Sequence, residues 1–123
     1  MNKTLELRGI VYGKLNKAES KAYYEIASDN AVYPYKVFTF GNIDLGDLAR
    51  DDLFLIIDIW GMDVKQVDAI ADDVEEEFNA SNDPGGNSYP TFFRVSRITV
   101  PDENKELKHR QLKLLIQNYY TGE

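Results

Sequence analysis

The sequence has no cysteine, one histidine and one tryptophan. Without cysteine there is no disulfide, no thiolate zinc site and no cysteine nucleophile, and synthesis in a reducing cytoplasm is expected. The single histidine, His109, has no serine or second histidine close in sequence to work with, so it reads as polar surface rather than chemistry. No run of 18 apolar residues exists, so no membrane-spanning helix is expected. The opening MNKTLELRGIVYGKL has no apolar stretch followed by a small-residue cleavage site, so it does not read as a signal peptide. The glycine-containing stretch NASNDPGGNSYP (79–90) has no glycine-lysine-Ser/Thr signature and follows no strand, which argues against a nucleotide site.

What the chain does have is a soluble composition: 123 residues, 43% apolar and 28% charged, which suits one domain over 1–123. The net charge of −7 is unevenly spread. Residues 1–50 carry seven basic against six acidic groups, residues 51–90 one against eleven, and residues 91–123 six against four. No strongly basic face is expected, so sequence-specific binding of duplex DNA is not.

Periodicity predicts an α+β fold: four to five mostly antiparallel strands in one layer, with a long amphipathic helix and a short N-terminal helix packed on it. Leu7, Val11 and Leu15 recur every four residues and predict a helix over 4–15. AYYEIA (22–27), VYPYKVFTFG (32–41), LFLIIDIWG (53–61), TFFRVSRITV (91–100) and QLKLLIQNYY (111–120) predict strands. GNIDLGDLARDD reads as a polar connection, 79–90 as a mobile loop and 101–110 as a hairpin connection. LFLIIDIWG is apolar on both faces, so a central strand covered on both sides is expected. Asp58 interrupts it. A buried carboxylate needs a partner: Arg94, Arg97 or a neighbouring chain would serve, and a general base or metal ligand is the functional alternative.

Asp63 is placed to cap the helix that follows. Val64, Val67, Ile70, Ala71, Val74 and Phe78 form its apolar stripe, and Asp68, Asp72, Asp73, Glu75, Glu76 and Glu77 its acidic face. Most of these acids lie toward the C-terminal end, where the helix dipole disfavours them. Helical spacing fans them apart, which argues against a calcium site. They ask instead for positive charge elsewhere. Asp72, Asp73, Glu75, Glu76 and Glu77, with Arg94, Arg97, Lys105, Lys108 and Arg110, are the groups singled out for that pairing. Trp60 is a core or interface anchor. No catalytic residue, metal ligand or cofactor site is expected. A small metal-dependent hydrolase built on Asp58 and the helix acids is disfavoured, because no nucleophile–base pair or metal-ligand spacing is present.

Four stretches carry a resemblance. YYEIASDNAVYPYKVFTFG, DDLFLIIDIWG, VKQVDAIADDVEEEFN and RVSRITVPDENKELKHRQLKLLIQNYY, in this order and spacing over roughly residues 20–120, resemble the opening hairpin, central strand, helix and closing hairpin of the tail-completion (tail-terminator) proteins of long-tailed bacteriophages and prophages. The resemblance implies a structural virion protein, made in the host cytoplasm, that forms a ring, usually a hexamer, at the head-proximal end of the tail tube. Its partners would be its own copies, the tail tube protein and a neck or head-completion protein, and the resemblance makes Asp72, Asp73, Glu75, Glu76, Glu77, Arg94, Arg97, Lys105, Lys108 and Arg110 candidates for the subunit interface or the channel lining. DNA would pass through without its sequence being read, and no membrane is involved. Another head–tail joining or head-completion protein is the related alternative.

Overall fold

The computed structural model describes residues 3–47, 50–78 and 88–120. Helix α1 (Lys3–Leu15) leads into β1 (Lys21–Tyr24), β2 (Tyr35–Asp47), β3 (Arg50–Gly61), helix α2 (Val64–Glu77), β4 (Ser88–Thr99) and β5 (Lys108–Tyr120). The strands form one sheet in the order β1-β2-β3-β5-β4. All pairs are antiparallel except β1–β2. This is the expected α+β architecture, with β3 at the centre.

Both helices lie on one face of the sheet. Leu7, Val11 and Leu15 of α1 and Val67, Ile70, Ala71 and Val74 of α2 share a single core with Phe38, Leu55, Ile57, Ile59, Phe92, Leu112, Leu114 and Ile116. These strand residues are alternate positions, as strand geometry requires. Asp63 caps α2 by accepting from the Lys65 N–H at 3.0 Å, a contact worth ~1 kcal/mol. Val64, expected on the buried stripe, is exposed at the first turn instead. Gly61 joins β3 to α2 where a Cβ would stand 2.7 Å from the Val67 side chain, so only glycine fits without movement.

Several expectations are corrected. The opening strand ends at Tyr24 rather than Ala27, because Glu25 turns the chain with φ at 67° and the Ile26 N–H donates to the Tyr24 carbonyl. β1 and β2 therefore do not form a hairpin. The chain loops back and β1 pairs in parallel, Lys21 opposite Tyr35. A strand of four residues is short enough for the ten residues between to return to its start. In GNIDLGDLARDD, 41–47 and 50–52 are not a polar connection but the facing ends of β2 and β3, whose register shifts past Asn42 and Asp44, while 48–49 lie outside the described residues. Irregular pairing absorbs the odd residues there and hides the period-two pattern.

Residues 79–87 of the expected loop lie outside the described residues, while Ser88–Pro90 belong to β4. The closing connection is shorter than expected, since Lys108, His109 and Arg110 are already in β5. The largest correction concerns β3. It is central but covered on one side only: Phe54, Ile56, Asp58 and Trp60 are half-buried, and the helices pack on the other face. Apolar residues on both sides of a strand require burial only where something is available to cover them, and two short helices cover one face.

Candidate functional site: the open sheet face and the acidic helix

The open face carries alternate residues of each strand. In register across it stand Tyr35 of β2, Trp60 of β3 and His109 of β5. The rings form a continuous row. Tyr23 meets Tyr35 edge-on at 5.9 Å, Tyr33 stacks on Tyr35 at 5.3 Å, Tyr35 lies 5.6 Å from Trp60, and Trp60 stacks on His109 at 4.3 Å. Burial, with Tyr33 beside it, holds the Tyr35 phenol above its usual pKa and hence neutral. Farther along, Lys113 spans the Phe54 ring at 3.9 Å, while Phe93, Val95 and Ile98 of β4 are exposed. Aromatic enrichment with few charges is the composition of an interface centre rather than of a solvated face.

Asp58 finds its partners on this face. His109 Nε2 lies 2.7 Å from Asp58 Oδ1, and Gln111 Nε2 donates to the same oxygen at 3.0 Å. Where the carboxylate is ionised it only accepts, and Nε2 of His109 is then the donor. The expectation that Asp58 pairs with Arg94 or Arg97 is overturned, because both arginines lie on the helix-covered face. His109 is likewise not simple polar surface: its side chain is 12% exposed and that of Asp58 20%. Sequence reasoning missed the pair because it spans 51 positions, and only the β3–β5 register brings the two together. Carboxylate, imidazole and indole thus hold one another in place. Among the described residues no group of three or more His, Asp or Glu side chains is positioned to hold a metal.

The acidic helix meets positive charge within its own chain. Arg94 donates to Glu75 at 2.6 Å. Arg97 donates to Asp72 at 2.6 Å and to the second oxygen of Glu75 at 2.7 Å. Arg110 donates to Asp68 at 2.9 Å. The Asp72 hydrogen bond, followed by that of Glu75, raises Arg97 above its ordinary pKa. Arg94 and Arg97 are three apart and would point to opposite faces of a regular strand. The register shift between Arg94 and Ser96 leaves Val95 as an extra residue, so both arginines face α2. Of the predicted interface residues, five are thereby engaged within the chain: Asp72, Glu75, Arg94, Arg97 and Arg110.

The remaining acids lie on the other flank of α2. Asp73, Glu76 and Glu77 form no ion pair among the described residues and line a cleft of about 600 Å³, opposite Lys14 and Lys17. Its floor holds a residue that the sequence did not single out. Lys36 is 2% exposed and donates to the carbonyl of Leu15, at the end of α1, at 2.6 Å. Burial above all, then Lys17, lowers its pKa from 10.5 to about 8. Lys105 and Lys108 sit apart from the helix, in and just after the β4–β5 turn, where Lys108 Nζ donates to the Lys105 carbonyl.

No family model matches this chain, and no curated protein does. Among solved structures, the fold is similar to that of a chain in the virion of a native gene transfer agent particle, with a TM-score of 0.63 over 94% of this chain and 90% of that one. The two sequences are 10% identical, so the likeness is one of fold.

Proposed function

We propose that this chain is a structural subunit of a tailed-phage-type virion, and specifically the tail-completion subunit that closes the head-proximal end of the tail tube as a ring, a hexamer in the resembling family. The observation that carries the reading is the near end-to-end fold similarity to a virion chain, joined to the sequence resemblance over residues 20–120. The arrangement of charged side chains agrees with a structural rather than a chemical role. Asp58 is occupied by His109 and Gln111, and the arginines are occupied by helix acids. In a ring, each copy would meet its neighbour head to tail through two different patches. One rim would meet the tail tube protein and the other a neck protein, with DNA passing through unread. Asp73, Glu76 and Glu77, which form no ion pair among the described residues, are the ones this reading offers to a lumen or a neighbour.

The test is electron microscopy of particles made without this protein. Overlong or headless tails are expected. Normal tails with leaking heads would assign the chain to the head side of the joint, as a head-completion protein. A turnover lost in Asp58→Asn and His109→Ala while the fold is kept would overturn the structural reading altogether.

A further inference from the structure

Two surfaces of this molecule are apolar, poor in charge and on opposite sides. The first is the open sheet face. With strands ~4.8 Å apart and ~3.3 Å per residue, five strands of up to 13 residues give a face roughly 24 by 40 Å, less where β1 is short. That is on the order of the ~800 Å² per partner that a stable interface uses.

The second is the outer stripe of α1. Leu7, Val11 and Leu15 are buried against the sheet, and the opposite side presents Leu5 (54% exposed), Gly9, Tyr12 (45%) and Gly13. A surface helix ordinarily carries its charges there. In α1 the charges of Glu6 and Arg8 flank the stripe instead, and a Cβ on Gly9 or Gly13 would meet nothing within 4 Å. From Leu5 to Gly13 the stripe is a smooth apolar ridge ~12 Å long.

We infer that the outer stripe of α1 in one copy packs on the open sheet face of the next, with Tyr12 against the face that carries Trp60, Ile56 and Phe93. A second copy is the occupant for three reasons. A sheet with helices on one face takes a helix on the other, and this chain carries a helix side with the exposed apolar residues Leu5 and Tyr12. The open face has the area that a stable contact needs. Finally, on a chain of net charge −7, contact between two surfaces poor in charge avoids like-charge repulsion. Because ridge and face lie on opposite sides of one molecule, the contact is head-to-tail, and each copy leaves one of each for its neighbours. This inference rests on the reading of the chain as a subunit that packs beside its own copies.

The cysteine-free full chain makes a direct test possible. Gly9→Cys on the ridge is mixed, under mild oxidation and at high concentration, with Thr39→Cys or Ser96→Cys on the open face. A disulfide between position 9 of one copy and position 39 or 96 of the other is expected, in excess over either like pair. Tyr12→Glu in the ridge copy should lower its yield about tenfold, as loss of one central contact does. Like pairs in equal or greater yield, or an unlike pair no more abundant than with the exposed control Lys65→Cys, overturn the contact. If the unlike pair fails while particles without the protein still carry overlong tails, the virion role stands and this contact falls. If the pair forms while those tails are normal, the contact stands and the tail role falls.

Discussion

The two faces of the sheet are made from the same strands, one residue out of step, yet they differ in every physical respect. On the helix-covered face, Leu55, Ile57, Ile59, Leu112, Leu114 and Ile116 are at most 1% exposed. On the open face, Phe54, Ile56, Trp60 and Leu115 are only half-buried, and Asp58, His109, Gln111 and Lys113 stand among them. The covered face is mainly aliphatic and shaped by packing. The open face is aromatic, with polar tips that hold one another. Aromatic rings with a polar end tolerate both water and a partner, which suits a surface exposed before assembly and buried after it.

This comparison makes predictions of decreasing size. Leu114→Ala, on the covered face, is expected to lower unfolding free energy by about 2–5 kcal/mol in chemical denaturation. Ile56→Ala, its open-face counterpart, is expected to lose well under half as much in the isolated chain. Equal losses would mean that the open face is already covered in solution.

Lys36 is the exception on the covered face. Its folded pKa is lowered from 10.5 to about 8, so the folded chain gives up this proton before the unfolded chain does. Stability is therefore penalised below about pH 8 and rises as the pH climbs toward 10.5, by on the order of 3 kcal/mol at ~1.4 kcal/mol per unit. Denaturation midpoints across that window should rise in the wild type and stay level in Lys36→Met. A rise of the same size in the variant would assign it to other groups.

Trp60→Ala should cost about 1–2 kcal/mol, less than a fully buried tryptophan, because the ring is only partly buried. A loss of about 4 kcal/mol would place Trp60 in a core rather than on a docking face. The smallest effect is expected for Arg97→Ala, about 1 kcal/mol at low salt and less at high salt, since its partners Asp72 and Glu75 lie partly in solvent. Salt-independent loss would show that the pair is buried.

The sequence revealed more of the covered face than of the open one. The spacing of Leu7, Val11 and Leu15, the α2 stripe from Val67 onward and one alternating set in each of β2, β3 and β5 correspond to buried positions. The acidic face of α2 called for positive charge, and α2 meets it, but from arginines of the same chain. That outcome depends on the extra residue at Val95, which no local pattern announces. The Asp58–His109 pair was illegible because neither residue has a partner nearby in sequence. GNIDLGDLARDD was read as a loop because irregular pairing breaks its alternation.

By itself the sequence determined which residues of α1, α2, β2, β3 and β5 share a face, and where α2 begins, because these follow from backbone periods of 2 and 3.6 and from a local cap at Asp63. Only the tertiary structure decided that β1 pairs in parallel, that one face of the central strand stays open, and which charges meet. Those outcomes depend on register and on contacts between residues 19 to 53 positions apart, and a local pattern carries no information about which distant strand will arrive beside it.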